Sequence, residues 1–129
     1  MDTSRPLHVL LVHVWYWPHV GGGDQHVEQI GRELVRRGHR VTVWCADVPA
    51  HEERIFTRGG VEVVRITPSR VLGGVDPLVS VSGLDLSDVD VVHLHDTLPV
   101  LIRRTLAKAK GEGKPVVTTY HNDYVKSSI

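Results

Sequence analysis

Leu7-His8-Val9-Leu10-Leu11-Val12-His13-Val14 runs into Trp15-Tyr16-Trp17-Pro18, then into Gly21-Gly22-Gly23, and then into a segment from Asp24 to Arg37 with a different apolar period. The opening eight residues are apolar except at His8 and His13 and are rich in Val, which predicts a strand covered on both faces. From Asp24 onward, Val27, Ile30, Leu34 and Val35 recur at helical spacing, and Glu28, Arg32, Glu33, Arg36 and Arg37 take the opposite side. Glu28 with Arg32 and Glu33 with Arg37 stand four residues apart in the favourable order. Asp24 suits an N-cap and Gly38 a C-terminal stop. A buried strand, a glycine turn and an amphipathic helix make one strand-helix unit, and its repetition decides the fold class.

Four further apolar segments follow, Val41 to Ala46, Val61 to Thr67, Val89 to His95 and Pro115 to Tyr120. Between the last two, Leu98, Leu101, Ile102, Thr105 and Ala109 line one face of a predicted helix, with Arg103, Arg104, Lys108 and Lys110 on the other. Pro99 fits its first turn and Gly111 its end. Alternating short strands and helices predict an α/β domain, a doubly wound parallel sheet of about five strands, and right-handed crossovers favour the order 3-2-1-4-5. Val48 to Gly60 reads as a surface loop. Pro68 to Asp88 mixes Gly, Pro, Ser and Val where the topology asks for a crossover helix.

The 129 residues are read as one domain, 1–129, truncated at its C-terminal edge because the sequence ends soon after the fifth strand. Fifteen Lys and Arg balance 15 Asp and Glu, so the basic footprint of a nucleic-acid binder is missing and no such partner is expected. A composition 41% apolar and 23% charged is that of a globular protein and argues against disorder. The single cysteine, Cys45, cannot form an internal disulfide, which points to a reducing, cytoplasmic setting and removes cysteine-based zinc sites. Leu7 to Trp17 is roughly half the ~20 residues of a membrane helix, and no small-residue cleavage site follows Arg5, so the stretch reads as a strand.

Ligands of doubly wound sheets collect at the carboxyl ends of the strands, where the loop from Trp15 to Gly23 lies. Gly21, Gly22 and Gly23 would let a phosphate approach main-chain N–H groups at the start of the helix, or would simply turn a tight corner. The pattern is neither GxGxxG nor GxxxxGK[ST]. Asp47, near the end of the second strand, lacks the context of a ribose-binding acid, so a nicotinamide cofactor is not expected. Trp15, Tyr16 and Trp17 would stack on a sugar or lipid-linked acceptor, dock a neighbouring domain, or cap the core, with Tyr16 the preferred ligand contact.

Nine histidines are many for this length. His13 ends the first strand, His93 and His95 share a face at the end of the fourth, and His121 follows the fifth, so His13, His95, Asp96 and His121 should converge on one mouth. Imidazoles there would hydrogen-bond substrate oxygens, move protons or bind a metal, while His93 reads as a buried strand residue. A small metal-dependent hydrolase using His13, His95, Asp96 and His121, and a non-catalytic nucleotide-binding module, are therefore alternative readings. No GxSxG elbow and no carboxylate pair for glycoside hydrolysis is present.

Pro18-His19-Val20-Gly21-Gly22, then Asp24, then Leu34-Val35-Arg36-Arg37-Gly38-His39-Arg40-Val41-Thr42-Val43, resembles the opening of the family 4 retaining glycosyltransferases of GT-B fold. Asp90-Val91-Val92-His93-Leu94-His95-Asp96 and Pro115-Val116-Val117-Thr118-Thr119-Tyr120-His121-Asn122 resemble that family's fourth- and fifth-strand motifs. The resemblance implies a Rossmann-like N-terminal, acceptor-side domain without the second GT-B domain, completed by a donor-binding domain in cis or in trans. It implies that Gly21, Gly22 and Gly23 approach the donor diphosphate, with Asn122 beside them. His121 would contact the transferred sugar as the catalytic residue, and Tyr16, Trp17, His95 and Asp96 would shape the acceptor side. The implied substrates are a nucleotide-sugar donor and a sugar or lipid-linked acceptor, with no cofactor and no metal; a lipid-linked acceptor would bring peripheral membrane contact. Asp24 departs from the family's usual glutamate.

Overall fold

The computed structural model describes residues 5–18, 22–51 and 53–120. The elements in chain order are β1 (His8–Val12), α1 (Gly22–Arg36), β2 (Arg40–Ala46), β3 (Ile55–Arg58), β4 (Val61–Ile66), β5 (Val71–Leu72), β6 (Asp76–Pro77), β7 (Val91–His95), α2 (Val100–Gly111) and β8 (Val116–Thr119). Six strands form one sheet in the order β3-β4-β2-β1-β7-β8, with β5 and β6 making a separate ribbon. The five strands expected from the sequence keep the order 3-2-1-4-5 and are all parallel, the arrangement of a Rossmann-like domain.

Two cores lie on opposite faces of this sheet. On one face Val9, Leu11, Val41, Val43, Val61 and Val63 pack against Val27, Ile30, Leu34 and Val35 of α1. On the other, Leu10, Val12, Val92 and Leu94 pack against Leu101, Ile102 and Ala109 of α2. Buried on both faces, β1 has no residue left for water, which is why its sequence is an apolar run and not an alternation. Both expected ion pairs form along α1, Glu28 with Arg32 at 2.8 Å and Glu33 with Arg37 at 2.9 Å.

Five expectations are corrected. The supposed surface loop 48–60 contains β3, which pairs antiparallel with β4 through a two-residue turn at Gly59 and Gly60. Both glycines have positive φ, 61° and 80°, the backbone a tight hairpin needs and β-branched residues cannot supply. The crossover from β4 to β7 carries no helix. Its glycines and prolines instead make the β5–β6 ribbon and an extended run that plugs Val79, Val81, Leu86 and Val89 into the α2-side core. Asp24 is the third residue of α1, not its N-cap, because the helix starts at Gly22. Leu98 precedes α2 and is exposed, so it lines no buried face. Pro99 is the N-cap and makes no side-chain capping bond, and Asp76 of β6 supplies one instead, its Oδ1 accepting the Val100 N–H at 3.1 Å.

Candidate functional site

Strand β1 lies between β2 and β7, and the helices following β1 and β7 leave to opposite faces, so the switch point of the sheet is the gap between their carboxyl ends. His13 is the first residue beyond β1, and His95 the last of β7. Their rings meet edge to face, centroids 6.4 Å apart and planes at 82°. His26 of α1 approaches the same His95 ring at 6.4 Å and 72°, and His93 packs on it at 4.1 Å, tilted by 37°. His95 thus meets three imidazoles, from the segment leaving β1, from α1 and from its own strand, and is 0% exposed. His93, expected to be a buried strand residue, is half-buried and shares a 2.6 Å hydrogen bond between its Nε2 and the Thr119 hydroxyl of β8.

Asp96 turns the chain out of β7 with φ at 93°, the one non-glycine residue at positive φ among the described residues. Its N–H donates to the Thr119 carbonyl at 2.8 Å, and its Oδ1 accepts the Thr97 N–H at 2.8 Å. A strained backbone held by two such bonds at the mouth of a switch point is the kind of outlier from which a functional role is argued. The Asp96 to Thr119 bond also brings the carboxyl end of β8 alongside that of β7, in line with the His95 to Thr119 register.

The three aromatics after β1 part company. Trp15 packs on the α2-side core and Tyr16 enters the α1-side core, 1% exposed. Tyr16 therefore offers no ring to a ligand here, contrary to its expected place as first contact. Burial, then the nearby Glu28 charge, pushes its hydroxyl up to about 12, so it is no acid or base at neutral pH. Trp17 remains 37% exposed, the most accessible of the three. The guanidinium of Arg58 lies 4.2 Å from its ring centroid, and Phe56 of β3 meets it edge-on at 6.0 Å.

Gly22 and Gly23 open α1 and so do not belong to the preceding loop, though residues of a first helical turn still have N–H groups without intrahelical acceptors. Gly21, His121 and Asn122 lie outside the described residues. Among the described residues, no group of three or more His, Cys, Asp or Glu side chains is arranged to hold a metal ion. Asp47, weighed as a ribose-binding acid, is buried against Arg65. Its burial would raise its pKa, but the hydrogen bonds from Arg65 and the His51 N–H, with the charges of Arg65 and Arg54, hold it below the ordinary carboxylate value. Sequence reasoning passed over Arg65, Arg58 and Phe56, although an arginine at an inward-facing strand position between Val63 and the end of β4 signals a buried partner.

A family model described as Glycosyltransferase Family 4 matches residues 20–128. The chain belongs to glycosyltransferase family 4. The matched span takes in α1 with the glycine run, the His93 and His95 motif of β7 and all of β8, while β1 and the three aromatics precede it. This family 4 domain is also 27% identical, over 132 residues, to a phosphatidylinositol N-acetylglucosaminyltransferase subunit of Arabidopsis thaliana. That alignment covers 96% of the chain but 29% of the relative, so the domain spans less than a third of that protein's length. Among the described residues, no helix of this glycosyltransferase domain is long and apolar enough to cross a membrane.

Proposed function

We propose that residues 1–129 form the acceptor-side domain of a retaining glycosyltransferase of two-domain GT-B architecture, whose second wall is a donor-binding domain in cis or in trans. The observation that carries this reading is the meeting of His13 and His95 with His26 of α1, beside the left-handed Asp96, at the switch point of a family 4 domain. Gly21, Gly22 and Gly23 present backbone N–H groups to the diphosphate of a nucleotide-sugar, with Asn122 beside them, and His121 contacts the sugar being transferred. The exposed Trp17 and the half-buried Asp96 supply the acceptor wall, and Tyr16 and His95 are buried and face no ligand directly. The bond from the anomeric carbon to the leaving phosphate oxygen breaks, a bond from that carbon to an acceptor hydroxyl forms on the same face, and the hydroxyl proton passes to the leaving phosphate. This chemistry calls for no cofactor, the nucleotide-sugar being a substrate.

The relative's name makes an N-acetylglucosaminyl group and phosphatidylinositol the first sugar and acceptor to test, and with a lipid acceptor of that kind the domain works at a membrane surface. The test is a transfer assay of the enzyme carrying this domain against a panel of sugar nucleotides and lipid and soluble acceptors. Transfer from one donor, abolished by His121→Ala and weakened by Trp17→Ala, is expected. Binding of zinc with hydrolysis and no transfer would instead favour a metal hydrolase.

A further inference from the structure

Arg65 sits at an inward-facing position of β4, its side chain 2% exposed, and the paired Asp47 carboxylate is 0% exposed. The guanidinium directs its donors to three separate acceptors. Nε donates to Asp47 Oδ1 at 2.9 Å, Nη1 to the Trp17 carbonyl at 3.1 Å and Nη2 to the Pro49 carbonyl at 3.0 Å. Asp47 is braced in turn by the His51 N–H at 2.9 Å and by Arg54, 3.4 Å from its Oδ2. Trp17 and Pro49 belong to the segments leaving β1 and β2, so one side chain from β4 ties together two neighbouring loops at the carboxyl edge of the sheet.

A buried ion pair is a poor way to gain stability, since desolvation cancels most of the attraction and an apolar pair of similar size is often as good. What the pair supplies is geometry. A planar fork that donates in three directions fixes the Trp17 carbonyl, and with it the indole that Arg58 and Phe56 then hold. We propose that Arg65 is a positioning residue that, anchored on Asp47, sets the placement of Trp17 in the acceptor wall. The inference rests on the acceptor-side reading above for its enzymatic consequence but not for its structural one.

Two arms keep these apart. In the first, the protein is labelled with 5-fluorotryptophan, and the ¹⁹F signals of Trp15, Trp17 and Trp44 are assigned by Trp→Phe changes. Arg65→Lys keeps the charge facing Asp47 but cannot reach both carbonyls, and Asp47→Asn keeps the shape but removes the anchor charge. Both are expected to shift and broaden the Trp17 signal and leave that of Trp44 in place, with cooperative unfolding retained. An unmoved Trp17 signal in the folded variants, or loss of the cooperative fold in both, would overturn the proposal, the latter by making the pair a core support. In the second arm, Arg65→Lys in the enzyme carrying this domain is expected to raise the acceptor KM about tenfold and leave the donor KM unchanged. Equal rises in both KM values, or a fall in kcat alone, would contradict it. If the unaltered enzyme transfers no sugar, the acceptor-side reading fails, and the ¹⁹F arm still decides the role of Arg65.

Discussion

The imidazole of His13, one residue beyond β1, stands edge-on to that of His95, the last residue of β7, with 6.4 Å between centroids. Two strands that are neighbours in the sheet, but separated by some eighty residues of chain, thus end in one cluster. The backbone of Asp96, bonded to the Thr119 carbonyl at 2.8 Å, extends that edge to β8. The consequence is a mouth at the carboxyl edge of the sheet, floored by the buried His95.

Asp96 bears strain at that mouth, and two substitutions separate its parts. Asp96→Ala loses the bond to the Thr97 N–H and keeps the left-handed φ, so it should destabilise the domain by about 1 kcal/mol. Asp96→Gly loses the same bond but relieves the backbone, and should be more stable than Asp96→Ala by about 1 kcal/mol. Urea unfolding of the pair measures the difference, and Ala at or above Gly would rule out strain.

The hairpin that joins β3 to β4 depends on Gly60. A Cβ there would meet Val35 Cγ1 at 2.7 Å with φ at +80°, whereas at Gly73, with φ at +58°, it would meet nothing within 4 Å. Gly73→Ala should therefore cost about 1 kcal/mol from the backbone alone. Gly60→Ala should cost about 2 kcal/mol more, because Val35 on α1 must give way. Equal midpoints in thermal melts of the two would contradict the close approach of α1 to this turn.

Cys45 is fully buried, and its thiol is pushed up to about 12, chiefly by burial. Since the thiolate is the reacting species, a disulfide reagent at pH 8 should leave the native protein untouched and label it only on unfolding. Labelling at the rate of a free thiol in the folded state would refute the packing of β2 against α1.

Acid should unfold the domain through carboxylates held below their ordinary range. Asp90 is lowered first by the His8 N–H, Glu33 falls to about 2 through hydrogen bonds from Arg36 and Arg37, and Asp47 is lowered by its arginines and the His51 N–H despite burial. A depressed native value means the contribution is complete above the unfolded value of about 4 and is lost as pH falls through the native one. Stability should hold from neutral pH down to about pH 5 and then fall, less steeply in Asp47→Asn. An unchanged slope in that variant would show that Asp47 adds nothing to the acid limb.

Much of this fold is legible in the sequence for a simple physical reason. Parallel strands buried on both faces must be apolar runs, as at Val9 to Val12, and a helix with one buried face must repeat its apolar residues at the period of α1. The missed parts have weaker signals. Strand β3 is only Ile55–Arg58, with Ile55 exposed, so no alternation announces it, and the Gly59-Gly60 turn was its legible mark. The crossover 67–90 is buried by scattered valines without helical period. Of the site, the meeting of His13 with His95 follows from strand order, whereas the inward turn of Tyr16 depends on the α1-side core it fills, which no local pattern encodes.

The most direct test of the central claim is the anomeric configuration of the product, followed by NMR as the enzyme carrying this domain consumes its nucleotide-sugar. An acceptor-side wall of a retaining family 4 glycosyltransferase predicts a glycoside with the donor's own configuration, formed only when an acceptor is present and lost in His121→Ala. An inverted product, or release of free sugar at the same rate with and without acceptor, would contradict it.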